Sequence, residues 1–232
     1  MPTSALTIAP LAVSGVSHVF DNFPQIGTIL WLDATKIAGI SSGASLSVWT
    51  DSSASLSHAS QPSATSQAVY LTNVQNGNSA LSFIGVQTYN SNTSLTQPCT
   101  IGVVFSASKI GNSNRVVSGR ANGPTILLKS GTGEYSYYAG TGPVTILSST
   151  TNQWVYEIGI FSGSSSTGEA SGTSRLADAG SNSGLTLSIG GNAVSTETFF
   201  GHIGEVVVYN RAITDNERLS LGSYFKAKWA TL

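Results

Sequence analysis

From residue 27 onward the chain reads as short apolar runs separated by Gly, Ser, Thr and Asn, and within the runs the pattern alternates. In GTILWLD at 27–33, Ile29, Trp31 and Asp33 fall on one face and Leu30 and Leu32 on the other, which is the two-residue period of a strand. Trp31 is assigned to the core. LSVWTD at 46–51 predicts a second strand carrying Trp49, and the Ser-rich stretch 52–66 predicts an irregular surface loop. Segments 68–71 and 79–84 read as strands on either side of the turn signal Asn76-Gly77. Residues 86–98 are polar and turn-rich, and TIGVVFS at 100–106 predicts a central strand. Further short strands follow at 115–118, 125–129, 134–138 and 144–148, spaced as in a sandwich or barrel. NQWVYEIGIF at 152–161 puts Trp154, Tyr156, Ile158 and Ile160 on one face and Val155, Glu157, Gly159 and Phe161 on the other, predicting a half-exposed strand. SGSSSTGEASGTS at 162–174 reads as flexible, and strands at 185–190 and 199–209 complete the series.

The period changes in the last segment. Thr214 and Glu217 have the spacing of a capping box, and Leu221, Tyr224, Phe225, Lys228 and Trp229 recur at three and four positions. This predicts a helix over 214–229 with its apolar stripe on the sandwich. Gly222 costs it about 1 kcal/mol relative to Ala, and close packing against a sheet accounts for its presence. The whole reads as an all-β protein: a two-sheet antiparallel sandwich with a short C-terminal amphipathic helix. Strands continue on both sides of every flexible stretch. Residues 27–232 are therefore read as one domain, and 1–26 as an N-terminal arm or added strand.

Charged residues make up only 9% of the chain and the formal net charge is −1. No basic cluster is present to bind nucleic acid. Near-neutrality supplies little repulsion between copies, which permits a homo-oligomer. Cys99 has no partner for an intrachain disulfide and reads as a buried thiol. No run is long enough for membrane insertion, and the first twenty residues lack the basic leader of a signal peptide.

The pieces LWLDA (30–34), VWTDSS (48–53), NGNSALSFIG (76–85), QWVYEIGIFSG (153–163), LSIGG (187–191) and the strand, turn and helix from 201 to 229 resemble the laminin-G-like, concanavalin-A-like jelly-roll family of phage structural and bacterial surface proteins. The resemblance implies glycan binding or a structural and adhesive role, with calcium held in a loop of some members. The chain departs from the commoner pattern after residue 53, where ASLSHAS stands in place of a Gly-Asn-containing loop.

The related glycoside hydrolases need paired carboxylates, and their acidic trio at alternate strand positions has no counterpart here. Glu157 and Glu205 are isolated and read as edge or solvent-facing residues. His18, His58 and His202 are dispersed, and no serine triad can be argued from so Ser-rich a chain. No catalytic residues are assigned, and the protein is read as a non-enzyme. No cofactor is expected apart from calcium, for which Asp33 and Asp51 are the first oxygen ligands to consider, with Asp178 and Asp215 behind them. The alternative is that Asp33 and Asp51 cap turns and Asp215 complements the helix dipole. Thr196, Glu197 and Thr198 line a pocket or form a solvated loop.

A glycan site would use an aromatic platform beside amides. The candidates are Tyr89, Tyr135, Tyr137 and Tyr138 with Asn90, Asn92 and Asn114, Tyr138 being on the opposite face of its strand from Tyr135 and Tyr137. The competing reading of each ring is core. Two roles follow. One is a virion structural protein, a capsid decoration, fibre or tail accessory, docking on other virion or surface proteins through residues 1–26 and aiding attachment to surface polysaccharide. The other is a stand-alone extracellular glycan-binding adhesion module, with a glycoside hydrolase as a more distant third.

Overall fold

The computed structural model describes residues 23–111, 114–120, 122–128, 133–192 and 197–232. The arm expected over 1–26 lies outside the described residues except for its last four. Among the described residues the strands are β1 (Thr28–Asp33), β2 (Val48–Trp49), β3 (Ala59–Ser60), β4 (Val69–Gln75), β5 (Asn78–Ile84), β6 (Tyr89–Ser91), β7 (Cys99–Ala107) and β8 (Asn114–Gly119). They continue as β9 (Thr125–Leu128), β10 (Glu134–Tyr138), β11 (Val144–Ser148), β12 (Trp154–Phe161), β13 (Ser166–Ala170), β14 (Thr173–Ala177), β15 (Leu187–Ile189) and β16 (Phe200–Tyr209). One helix, α1 (Asp215–Trp229), closes the chain.

Two antiparallel sheets result. The first runs β14-β13-β12-β7-β16-β5-β4, with β1 also paired to β16. The second runs β11-β10-β9-β8-β15-β6-β3-β2. The sandwich with a C-terminal helix is as the alternation and the capping box predict. Ile101, Val103 and Phe105 of β7 meet Ile126, Leu128, Tyr135 and Tyr137 of the second sheet in the inter-sheet core. Phe105 and Tyr135 make an edge-on contact at 5.9 Å between ring centres.

The opposite face of the first sheet is a second apolar layer, covered by α1: Trp31, Val104, Tyr156, Ile158, Val207, Leu221, Phe225 and Trp229 are all buried there. This corrects the reading of β12 as half-exposed: its Val155 and Phe161 face is buried in the inter-sheet core, and the helix covers its Tyr156 and Ile158 face. The helix can come this close because the sheet beneath it carries glycines. A Cβ on Gly102 would sit 3.1 Å from Leu221, and one on Gly204 would overlap the Trp229 indole. Gly222 on the helix itself faces the Tyr156 hydroxyl, 2.9 Å from where its Cβ would be.

Both halves of the capping box form: the Glu217 amide donates to Thr214 Oγ1 at 3.3 Å and the Thr214 amide to Glu217 Oε2 at 2.8 Å. The Arg211 guanidinium grips both Glu217 oxygens at 2.8 and 2.6 Å and pulls the Glu217 carboxyl down to about 2. Tyr156 and Arg218 both bind Glu169, tying the helix to β12 and β13.

Three flexible-looking stretches carry structure. Residues 86–98 contain β6, and 52–66 contain β3. Segment 162–174 holds a 3-10 turn, all of β13 and the start of β14. At the other end, Phe23 is buried edge-on against Trp31 at 4.9 Å and packs on Tyr224. The Pro24 carbonyl accepts from the Tyr209 hydroxyl at 2.8 Å. Phe23 and Pro24 thus pack on the sandwich's own helix-covered face.

Candidate functional site

Asp51 organises the first wall of the site. Its carboxylate is 3% exposed and accepts four hydrogen bonds: Oδ1 from the amides of Trp31 and Ser53, and Oδ2 from Ser53 Oγ and the Ser57 amide, each at 2.8 Å. Its own amide donates to His58 Nδ1 at 3.0 Å. Loop 52–58 is therefore wrapped around one buried anion, and Ser91 Oγ fastens it to β6 through the Ser57 carbonyl at 2.6 Å.

The second wall is segment 92–98. Leu95 is buried and exchanges backbone hydrogen bonds with Gly184 in both directions. The Gln97 side chain donates to the carbonyls of Gly180 and Asn182 and accepts from the Gly163 amide at 2.8 Å. Between the two walls, at one end of the sandwich, opens a cleft of about 480 Å³. Ser55 and Ser57 form one side, Asn92, Thr93, Ser94, Thr96, Gln97 and Pro98 the other, and Ile29 and Asn210 close it at the sandwich edge. None of these residues is ionisable. The Ser55 and Ser57 hydroxyls and the Asn92 and Asn210 amides take no side-chain hydrogen bond from the described residues, so all four are free to exchange bonds with a guest.

The structure separates the glycan-binding candidates. Asn92 lies on the cleft. Tyr138 and Asn90 face outward on the second sheet, where the register sets Tyr138, Thr125, Ser118, Ser188, Asn90 and Ser60 opposite one another in a row. Four strand spacings put Tyr138 and Asn90 about 19 Å apart. The hydroxyls between them are at most 1% exposed and bonded within the sheet: Ser118 to Thr125, and Ser188 to Asn90. Tyr89, Tyr135 and Tyr137 are corrected to core residues. Their strands turn them toward the inter-sheet space, leaving them 0%, 4% and 0% exposed. The Tyr89 hydroxyl donates to the Leu46 carbonyl, and Tyr137 donates to the Arg175 carbonyl at 2.9 Å. Burial pushes the Tyr89 and Tyr135 hydroxyls up to about 12. Asn114 is also structural, accepting from the Gly111 amide and donating to the Thr198 carbonyl.

Asp33 and Glu205 belong to a closed polar cluster beneath the helix. Lys228 Nζ donates to Asp33 Oδ2 at 2.6 Å, to Glu205 Oε2 at 2.9 Å and to the Tyr224 hydroxyl at 3.0 Å. Glu205 also accepts from the indoles of Trp31 and Trp229 and from Tyr224. Burial, and then the charge of Asp33, raises the Glu205 carboxyl. Burial pulls the Lys228 ammonium down, but the charges of Glu205 and Asp33 outweigh it and hold it above its usual value. Trp154, half-buried, stacks on Trp229 at 5.5 Å.

Glu205 and Glu157, expected at an edge or in solvent, are both fully buried. Glu157 points into the inter-sheet core without a hydrogen-bond partner for either oxygen, and burial raises its carboxyl well above the usual range. Of the calcium candidates, Asp51 is saturated by donors, Asp33 is shared between Lys228 and the amide and hydroxyl of Thr35, Asp178 accepts from the Gly180 amide, and Asp215 pairs with Arg218. Among the described residues no cluster of three or more acidic, His or Cys side chains is present.

No family model matches the chain, and no curated protein matches it. Solved structures match in fold. A mutant α-L-arabinofuranosidase soaked with 4-nitrophenyl α-L-arabinofuranoside superposes with a TM-score of 0.63 at 12% identity, over 80% of this chain and 51% of that one. Domain 4 of an extracellular arabinanase from Geobacillus stearothermophilus, in complex with arabinotriose, gives 0.55 at 12% identity, over 78% of this chain and 100% of the domain. Trypanosoma rangeli sialidase in complex with a difluorosialic acid gives 0.56 at 12% identity, over 90% of this chain and 34% of the sialidase. The chain therefore spans about a third of the length of the sialidase. At such identities the likeness is one of fold: a two-sheet antiparallel sandwich that occurs in glycan-binding and glycan-processing proteins. No helix among the described residues is long and apolar enough to cross a membrane.

Proposed function

We propose that this chain is a non-enzymatic glycan-binding module that holds sugar in the cleft between loops 52–58 and 92–98. The observation that carries this reading is the cleft itself, about 480 Å³ and walled by hydroxyls and amides on braced loops. Its volume lies within the range of pockets that hold small ligands, roughly 300–1,000 Å³. Sugar hydroxyls both donate and accept, as do Ser and Asn side chains, and Ile29 and Pro98 offer apolar surface to sugar C–H faces. Support of a coarser kind comes from the arabinotriose complex of the similar arabinanase domain.

Hydrolysis would need two carboxylates facing each other across the scissile bond, and the cleft walls carry none. Asp33 and Glu205 do approach one another through Lys228, but they are sealed under the helix at 2% and 0% exposure. The assembly role expected from the sequence, on a virion or a cell surface, rests on docking through residues 1–26, of which 1–22 lie outside the described residues, and it draws no support from the described ones.

The reading is tested with a glycan array probed by the wild-type chain and by the Asn92→Ala/Asn210→Ala double variant. Each lost amide should weaken binding by about 1 kcal/mol, roughly fivefold. Equal binding by both proteins would place the sugar elsewhere, and no binding by the wild type would remove the proposal.

A further inference from the structure

The cleft carries a statement about which glycans it takes, and this rests on the glycan-binding reading above. We propose that the cleft selects uncharged sugar chains and holds them without a divalent cation. Two observations lead there independently.

The first is the character of the walls. An acidic sugar presents a carboxylate or sulfate, which is recognised by Arg or Lys in bidentate or point-charge contacts. The ten cleft residues include neither. The nearest cation along the chain is Arg211, beside Asn210, and it is already spent: Nε and one terminal nitrogen donate to the Ile26 carbonyl at 3.0 and 2.8 Å, and the guanidinium spans both oxygens of Glu217. A sugar anion in the cleft would lose its hydration without gaining a counter-charge. Neutral hydroxyls face no such penalty, because Ser55, Ser57, Asn92 and Asn210 can replace the water they shed.

The second is the occupancy of the carboxylate that shapes the loop. A calcium ion takes six to eight oxygen ligands, and a loop built to hold one leaves carboxylate lone pairs open toward it. Asp51 leaves none. An ionised carboxylate has about four acceptor sites, and all four meet donor hydrogens: the amides of Trp31, Ser53 and Ser57 and the Ser53 hydroxyl, each at 2.8 Å. The anion gathers the loop's donors about itself and fixes Ser57 at the cleft wall. No bridging cation is needed for that. Loop order and ligand binding are thereby independent of calcium.

The experiment is the same array, carrying neutral and acidic glycans, read with the full-length chain in excess calcium and again in excess EDTA, followed by calorimetry on the strongest neutral and the strongest acidic binder. The expected result is binding to neutral glycans with dissociation constants that agree within about twofold between calcium and EDTA, and acidic glycans at least about tenfold weaker. A tenfold loss in EDTA, or a preference for sialylated, uronate or sulfated chains, overturns this inference while leaving a glycan-binding protein. Absence of binding to every glycan overturns it together with the reading it rests on.

Discussion

Replacing Lys228 by Met keeps the length and most of the volume of the side chain but removes the ammonium that Asp33 and Glu205 share. The two carboxylates are 2% and 0% exposed, so water cannot take its place. Glu205 would keep its bonds from Trp31, Tyr224 and Trp229, whereas Asp33 would lose the only donor on its Oδ2 among the described residues. Removing one partner of a buried ion pair costs about 3–5 kcal/mol, because the other charge is left uncompensated. At about 2–4 °C per kcal/mol for a domain of this size, Lys228→Met should melt roughly 6–20 °C below the wild type. The deficit should depend on pH. Glu205 is already raised by burial and by Asp33, and losing the ammonium raises it further. A raised carboxyl contributes stability fully below its unfolded value, about 4.3, and loses it as pH rises through the folded value. The gap should therefore be smallest near pH 4 and widen toward neutrality. Urea denaturation followed by circular dichroism at pH 4 and pH 7 measures both effects. A loss below about 1 kcal/mol at pH 7, or a gap that widens on acidification, would refute the reasoning.

Glu157→Gln should stabilise the protein at neutral pH and flatten its pH dependence. The buried, raised carboxyl costs the wild type about 1.4 kcal/mol for each pH unit above the unfolded value until the folded value is passed. Urea midpoints from pH 4 to pH 8 should converge at the acid end, and parallel curves would contradict this. Gly204→Ala should push the Trp229 ring off the sheet and cost about 1–3 kcal/mol, read as a lower melting temperature with a red-shifted tryptophan emission. Thr214→Ala should cost about 1 kcal/mol through loss of the helix cap, with the fold otherwise intact by near-ultraviolet circular dichroism.

The features legible in the sequence are those written locally. Thr214 and Glu217 stand three residues apart and cap each other, and the Leu221 to Trp229 stripe is the buried face of α1. Alternation likewise separates Trp31 from Leu30 and Leu32, and Tyr138 from Tyr135 and Tyr137. It cannot say which face meets the other sheet, and so Tyr135 and Tyr137 could be read as a platform while they are core. Glu157 shows the same limit from the other side. Its burial is decided by β7 and β13 on either side of β12, with Val103 and Ala170 directly opposite, which no local window contains. The cleft was least legible. Ser55, Asn92 and Asn210 come together only through the closure of distant loops, and the composition of those loops signalled solvent exposure rather than a shared cavity. Asp51 was visible as a candidate ligand, but its role as the hub of loop 52–58 depends on the Trp31 amide, 20 positions away.

The location of bound sugar is the most direct test of the account. Backbone amide shifts of the isotopically labelled chain, titrated with a glycan that binds on the array, should move at Ser55, Ser57, Asn92 through Gln97 and Asn210, leaving Tyr138 and the α1 amides in place. Shifts centred on Tyr138 and Ser188, or on the helix-covered face around Trp154, would contradict it.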